Sequence, residues 1–179
     1  LKARVLFADD LVLESHAFAV VAIRSADVFH QQSLRLRGRN LLARARPTIT
    51  ASSKDPKGNW NPKKTLDALQ CTGWLYAKDD LKPWIEFQCP RSTKAERLIL
   101  SPVDARMDEE RRTDTIHRVR VSLNKKEWVQ EFDFPADPLA ELEISFGQSL
   151  RVRTIKIEIL KRSKGTKWPN QGGFAEVAL

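Results

Sequence analysis

The chain has 179 residues, 41% of them hydrophobic and 30% charged, with a formal net charge of +8, a composition that suits one well-buried core with a small annex and excludes a disordered polymer. Its longest apolar run, Ala17 to Ile23, is too short to cross a bilayer as a helix. The basic excess is spread out, and acids interleave with it in MDEERRTDTIHR and LAELEI, so a mixed solvated surface explains the charge better than a nucleic-acid groove.

Leu1 is not followed by a charged segment and an apolar run of signal-peptide type, which reads as a processed chain or an excised part of a larger one. RVLF and LVLES flank ADD as a hairpin would, and AFAVVAIRSADVF continues as strand. The hydrophilic connector HQQSLRLRGRN then leads to Asn40. SADVF (25–29) resembles FAEVAL (174–179), which suggests that residues 1–39 form an N-terminal β segment, the end of a preceding β domain.

Beyond residue 47 period-two alternation dominates. WIEF (84–87), RLIL (97–100), HRVRVSL (117–123), WVQEFDF (128–134), LEISF (142–146) and VRTIKIEIL (152–160) are short, apolar on one face, and bounded by Pro, Gly, Asn or Asp. In the last of these Lys156 and Glu158 point outward, while Asn124 to Glu127 reads as a hairpin connection. Many short strands at close spacing predict an all-β, antiparallel sandwich or barrel. Trp74, Trp84 and Trp128 stand in strand context and read as packing residues.

Chemistry-bearing groups are sparse. His16, His30 and His117 have no metal-ligand spacing, and no CxxC pair exists. Cys71 and Cys89 either form one bridge in an exported protein or remain buried thiols. Ser15 and His16 are strand neighbours and point to opposite faces. Asp79, Asp80, Asp108, Glu109 and Glu110 read as solvated loop acids, so the sequence carries no signal for a catalytic site.

Trp60 and Trp168 differ from the other tryptophans, being flanked by Pro, Gly, Asn and Lys and therefore placed on loops. An indole beside amide or guanidinium donors is a usual physical solution to glycan binding, and Asn61, Arg106, Arg112, Asn170 and Gln171 are candidate partners. The competing reading makes both indoles amphipathic plugs at the barrel edge, and Gly172, Gly173 and Phe174 favour it for Trp168 by tying that residue to the last strand. The loops KDPKGNW and DARMDEERR are polar or acidic, which disfavours an anionic-membrane site.

From Asn40 onward the chain resembles the discoidin, or coagulation factor type C, family of galactose-binding-like sandwiches. The resemblance is carried in order by NLLARARPTITASS (40–53) as opening strand, TLDALQCTGW (65–74), KPWIEFQCP (82–90), RVRVSLNKKEWV and GGFAEVAL. The sequence departs from the family at Ala68, usually Gly, and at Cys71. The resemblance implies a jelly-roll β-sandwich over residues 40–179 without catalytic machinery. It further implies a structural Ca²⁺ held by Asp67, Thr72 and Glu176, with carbonyls of Lys64, Leu69 and Ala175. The expected role is a carbohydrate-binding or accessory module of a larger secreted or cell-surface protein. A docking module for a neighbouring domain, with no small ligand of its own, is the alternative.

Overall fold

A computed structural model of the chain describes residues 40–55, 60–69, 72–103, 113–137 and 140–179. The N-terminal β extension expected over residues 1–39 lies outside the described residues, as do Cys71, Arg106 and Arg112.

The described chain opens on a helix where strand was expected. α1 (Leu41–Ala45) is capped by Asn40, whose Oδ1 accepts from the Leu42 and Ala43 N–H groups at 3.0 and 3.2 Å. Leu, Ala and Arg favour a helix after such a cap. Arg46, at φ 50°, and then Pro47 stop it after five residues. The strand proper, β1, is only Thr48–Ala51.

A 3-10 turn (Pro62–Leu66) and the two-residue β2 (Trp74–Leu75) lead to β3 (Trp84–Pro102). β4 (Thr115–Leu123) turns through Asn124–Lys126 into β5 (Trp128–Asp133), as the hairpin signal required. β6 (Leu142–Ser163) and β7 (Gly173–Ala178) complete the fold. Two pairs of segments read as separate strands are continuous: WIEF with RLIL in β3, and LEISF with VRTIKIEIL in β6.

The strand order is β2-β7-β3-β6-β4-β5, with β1 on β3, and every pairing is antiparallel. β3 and β6 pair along both halves, with register shifts between Gln88 and Thr93 and between Ala95 and Arg97. Such shifts let a strand bend and pass from one face of a sandwich to the other. One half of the ribbon pairs with β1 and β4, the other with β7. The result is the antiparallel sandwich that the alternation predicts.

Inward residues of both halves meet in one core containing Trp74, Tyr76, Phe87, Leu98, Ile144, Ile155, Ile157 and Phe174. Trp74 lies among them, 6.0 Å from Phe174 and 6.1 Å from Tyr76 between ring centroids. Trp128 is half-buried, stacked on Phe132 and edge-on to Phe146. Trp84 corrects the sequence reading. It shares the outward phase of Glu86 and Gln88 and lies half-buried on the sheet's outer face, with Lys156 Nζ 5.1 Å from its ring. Cys89 is a buried free thiol, its pKa raised by that burial.

The closing strand has no room for a side chain at Gly173. A Cβ on Gly173 would lie 1.8 Å from the Trp74 carbonyl oxygen, because β2 and β7 meet there at Leu75 and Gly173. Gly173→Ala is expected to cost about 3 kcal/mol or more, since backbone must move. Gly147→Ala, at φ +71° in open space, should cost about 1 kcal/mol, from the left-handed backbone alone. Thermal melts of the two variants check the ranking; equal losses would refute it.

Candidate functional site

Asp114 organises one end of the sandwich. It is buried at the start of β4, where its backbone N–H donates to the Gln171 carbonyl at 2.6 Å. Its Oδ1 accepts from the Gly165 and Asn170 N–H groups at 3.0 and 2.8 Å, and its Oδ2 accepts from the Tyr76 hydroxyl at 2.9 Å. Arg162, at the end of β6, lies over the Tyr76 ring at 4.5 Å and brings Nε to 3.6 Å from Asp114 Oδ2. A carboxylate with this many donors is well compensated for burial. Burial, then the Asp114 charge, pushes the Tyr76 phenol well above its ordinary range, so it stays a donor.

The same network extends to the loop after β2. Arg162 Nη2 donates to the Asp80 carbonyl at 2.8 Å, and Asp80 Oδ2 accepts from the hydroxyls of Ser52 and Ser53. Ser53 in turn takes the Ala77 N–H, and its carbonyl takes the Trp74 indole N–H at 2.7 Å. Asp80 is therefore a structural tie and not a merely solvated acid. Arg162 Nη1 is buried with no hydrogen-bond partner. Buried donors are rarely left so.

A second polar cluster lies along β7. Glu176 is 1% exposed; its Oε2 accepts the Ala68 N–H at 3.2 Å and its Oε1 the Asn40 amide at 3.4 Å. Asp67 takes the Thr72 hydroxyl on both oxygens, at 3.0 and 2.9 Å, and the Leu69 N–H at 2.9 Å. Exposed Lys64 reaches Asp67 at 3.4 Å. Ala68 holds φ +60°, the left-handed conformation that glycine adopts freely. The departure from Gly is absorbed by the backbone, and the turn survives it.

The donor set of this cluster fits a hard cation. Two carboxylates, a hydroxyl and nearby carbonyls are all oxygen, the preference of Ca²⁺. No group of three His, Cys, Asp or Glu side chains that could hold a metal occurs among the described residues, so Thr72 and the backbone would complete the shell. Burial pushes the Glu176 carboxyl up to about 8; Asp67 adds to the rise, and the Ala68 N–H and Asn40 amide oppose it. A buried acid facing a second acid is what a bound cation would relieve.

The residues expected to hold ligand fall unevenly. Asn170, at φ 64°, and Trp168 belong to the loop tied to Asp114, with Lys167 Nζ 5.4 Å from the Trp168 ring. Trp60 is half-buried against Leu75, Val103 and Ala175, closer to the plug reading. Asn61 caps the 3-10 turn through the Lys63 N–H and borders a hollow of about 570 Å³ with Ile49, Ser53 and Pro62. Ser53 connects that hollow to the Asp80–Arg162–Asp114 network.

A family model described as the F5/8 type C domain matches residues 48–174, well over half of the chain. The chain belongs to that family.

Solved structures agree in fold with this F5/8 type C domain. The family 32 carbohydrate-binding module of Clostridium perfringens NanJ, in complex with galactose, superposes with a TM-score of 0.61 at 14% identity, covering 78% of this chain and 96% of that one. Chitosan-binding module 1 from a Paenibacillus sp. IK-5 chitosanase/glucanase gives 0.53 at 16%, covering 74% and 92%. A mutant mycobacterial arabinofuranosyltransferase, AftD, gives 0.56 at 20%, where 73% of this chain matches 10% of that one. No curated protein matches the chain by sequence.

Tyr76, Asp114 and Arg162 were not singled out from the sequence. Arg162 is one of 31 basic residues, and only the pairing of β3, β4 and β6 shows which arginine lies over Tyr76. Asp114 left a faint signal, an acid at the edge of an apolar strand.

The raised Glu176 pKa gives this F5/8 type C domain a pH signature. With the folded-state value near 8 and the ordinary value 4.5, stability from this group is full below about 4.5 and is lost as pH rises toward 8. In chelator, the melting temperature should fall across that window. Glu176→Gln, although less stable throughout, should flatten the slope; an unchanged slope would refute the assignment.

Proposed function

We propose that this F5/8 type C domain is a non-catalytic carbohydrate-binding module, with the glycan held at the Asp114 loop end and Ca²⁺ held structurally at Asp67, Thr72 and Glu176. The reading is carried by the hydrogen-bonded loop end, where Trp168 and Asn170 stand on a loop fastened to the buried Asp114 carboxylate. Indole and amide groups on loops braced by a rigid sandwich are what sugar hydroxyls and ring faces require. The NanJ module, in complex with galactose, and the Paenibacillus module, which is chitosan-binding, support the class of ligand.

The cation, when bound, would bring positive charge to Glu176 and add to the charge that Lys64 brings to Asp67. The protein's part is to position Asp67 through Thr72 and Leu69, and Glu176 through Asn40 and Ala68. We place the module outside the cell as an accessory part of a larger protein, in keeping with the fraction of AftD that it matches. Among the described residues no helix is long and apolar enough to cross a membrane.

Affinity electrophoresis of the chain against galactose- and glucosamine-containing polysaccharides tests the glycan reading. Trp168→Ala should weaken retention about tenfold or more, a loss of ~1.4 kcal/mol, with the melting temperature unchanged. Silence on every glycan would favour the docking alternative. For the ion, millimolar Ca²⁺ should raise the melting temperature at pH 8, and Asp67→Ala should abolish the rise; a Ca²⁺-independent melt would sink the proposal.

A further inference from the structure

The outer face of the sheet carries a groove that the loop-end reading does not use. Register places Thr50, Glu86, Lys156, Ser122 and Val129 side by side across β1, β3, β6, β4 and β5. Four gaps of about 4.8 Å make this row roughly 19 Å wide. A hollow of about 560 Å³ lies over it, bounded by Glu86, Arg120, Ser122, Lys126 and Lys156. A second, of about 380 Å³, shares Gln88, Lys125 and Thr154 with the first and reaches Ser92, Arg151 and Arg153. The shared residues make the two one groove.

Its charge is lopsided. Arg120, Lys125, Lys126, Arg151, Arg153 and Lys156 line it, against Glu86, Glu127 and Glu158. Lys156 pairs with Glu158 at 3.1 Å and Arg120 with Glu131 at 2.7 Å, both partly exposed and weak enough for a ligand to replace. Lys125, Lys126, Arg151 and Arg153 form no ion pair among the described residues.

Two costly features concentrate this charge. Arg151 stands directly opposite exposed Lys94 in the β3–β6 register, a like-charge pairing that destabilises a sheet. Asn124, Lys125 and Lys126 all hold positive φ, at 49°, 57° and 82°. The turn is pinned by Asn124, which donates to the Arg151 carbonyl and accepts from the Arg153 N–H. Strain of this kind persists where surroundings enforce it, and it clusters at ligand clamps.

We propose that this groove binds an acidic polysaccharide, a chain bearing carboxylate or sulfate groups among its hydroxyls. Cations set at intervals meet the acid groups, while Gln88, Ser92, Ser122, Asn124 and Thr154 suit the hydroxyls. Val129 is its single apolar side chain, which disfavours an apolar peptide. Nucleic acid fits less well. Its closely spaced phosphates would face Glu86, Glu127 and Glu158, and Trp84 is half-buried beneath Lys156 instead of offering a stacking platform. The site is separate from the loop end, since the Asn124–Lys126 turn follows β4 and Asp114 precedes it.

The full chain and a Lys126→Glu/Arg151→Glu double variant are compared by affinity electrophoresis on polygalacturonate, dextran sulfate, neutral dextran and a DNA oligonucleotide. The expected result is retention on at least one acidic polysaccharide, lost as salt rises and weakened tenfold or more in the double variant. Preference for polygalacturonate assigns carboxylates; preference for dextran sulfate assigns sulfates. Trp168→Ala should leave this retention intact, which separates it from the loop site, and an undiminished melting temperature excludes misfolding of the double variant. No retention on either acidic chain at low salt, equal retention on neutral dextran, retention on DNA alone, or indifference to the double variant would each overturn the proposal.

Discussion

The antiparallel pairing of β3 with β6 is the constraint on which the fold depends. Both strands run through the two halves of the sandwich, so one ribbon supplies pairing edges to β1 and β4 on one side and to β7 on the other. Its two register shifts relieve the bend that a straight ladder would resist. Inward positions such as Phe87, Leu98, Ile144 and Ile157 are then brought from distant parts of the chain into one core. Without the ribbon, the short β2 and β1 would have no sheet large enough to join.

Two buried carboxyl groups fasten the loops to that frame by opposite means. Asp114 is surrounded by donors from Tyr76, Gly165, Asn170 and Arg162, so its burial is compensated within the protein. Among the described residues Glu176 has only an amide and one backbone N–H, and it faces Asp67. The first carboxylate is satisfied within the protein; the second is one that an added positive charge would relieve. The contrast follows from the low dielectric of the interior, where an unpaired charge is costly and a paired one holds its neighbours in place.

Much of the fold was legible because alternation survives in the strands: the outward phase of Lys156 and Glu158, the hairpin at Asn124 and the closing strand all match. The breaks have local causes. An asparagine cap turned Leu41–Ala45 into a helix, overriding the strand expectation. Trp84 misled because a large aromatic residue in a strand suggests core, whereas its phase with Glu86 places it outside. Asp67, Thr72 and Glu176 were named together only through a sequence resemblance; hydrogen bonds from the Thr72 hydroxyl to Asp67 and from the Ala68 N–H to Glu176 link them to one turn. Asp114 and Arg162 were hidden because neither residue type nor spacing reveals which basic side chain will lie over which aromatic ring.

Asn40 does more than cap α1. Its amide also reaches the Val177 carbonyl at 2.9 Å, and the Leu41 N–H meets the Leu179 carbonyl at 3.1 Å. The place where residues 1–39 join the domain therefore lies beside the far end of β7. The loop carrying Trp168 and Asn170 precedes the near end of the same strand. Bulk attached through residue 39 would therefore sit away from the loop carrying Trp168 and Asn170, and the stiffness of β7 would set the stand-off between them.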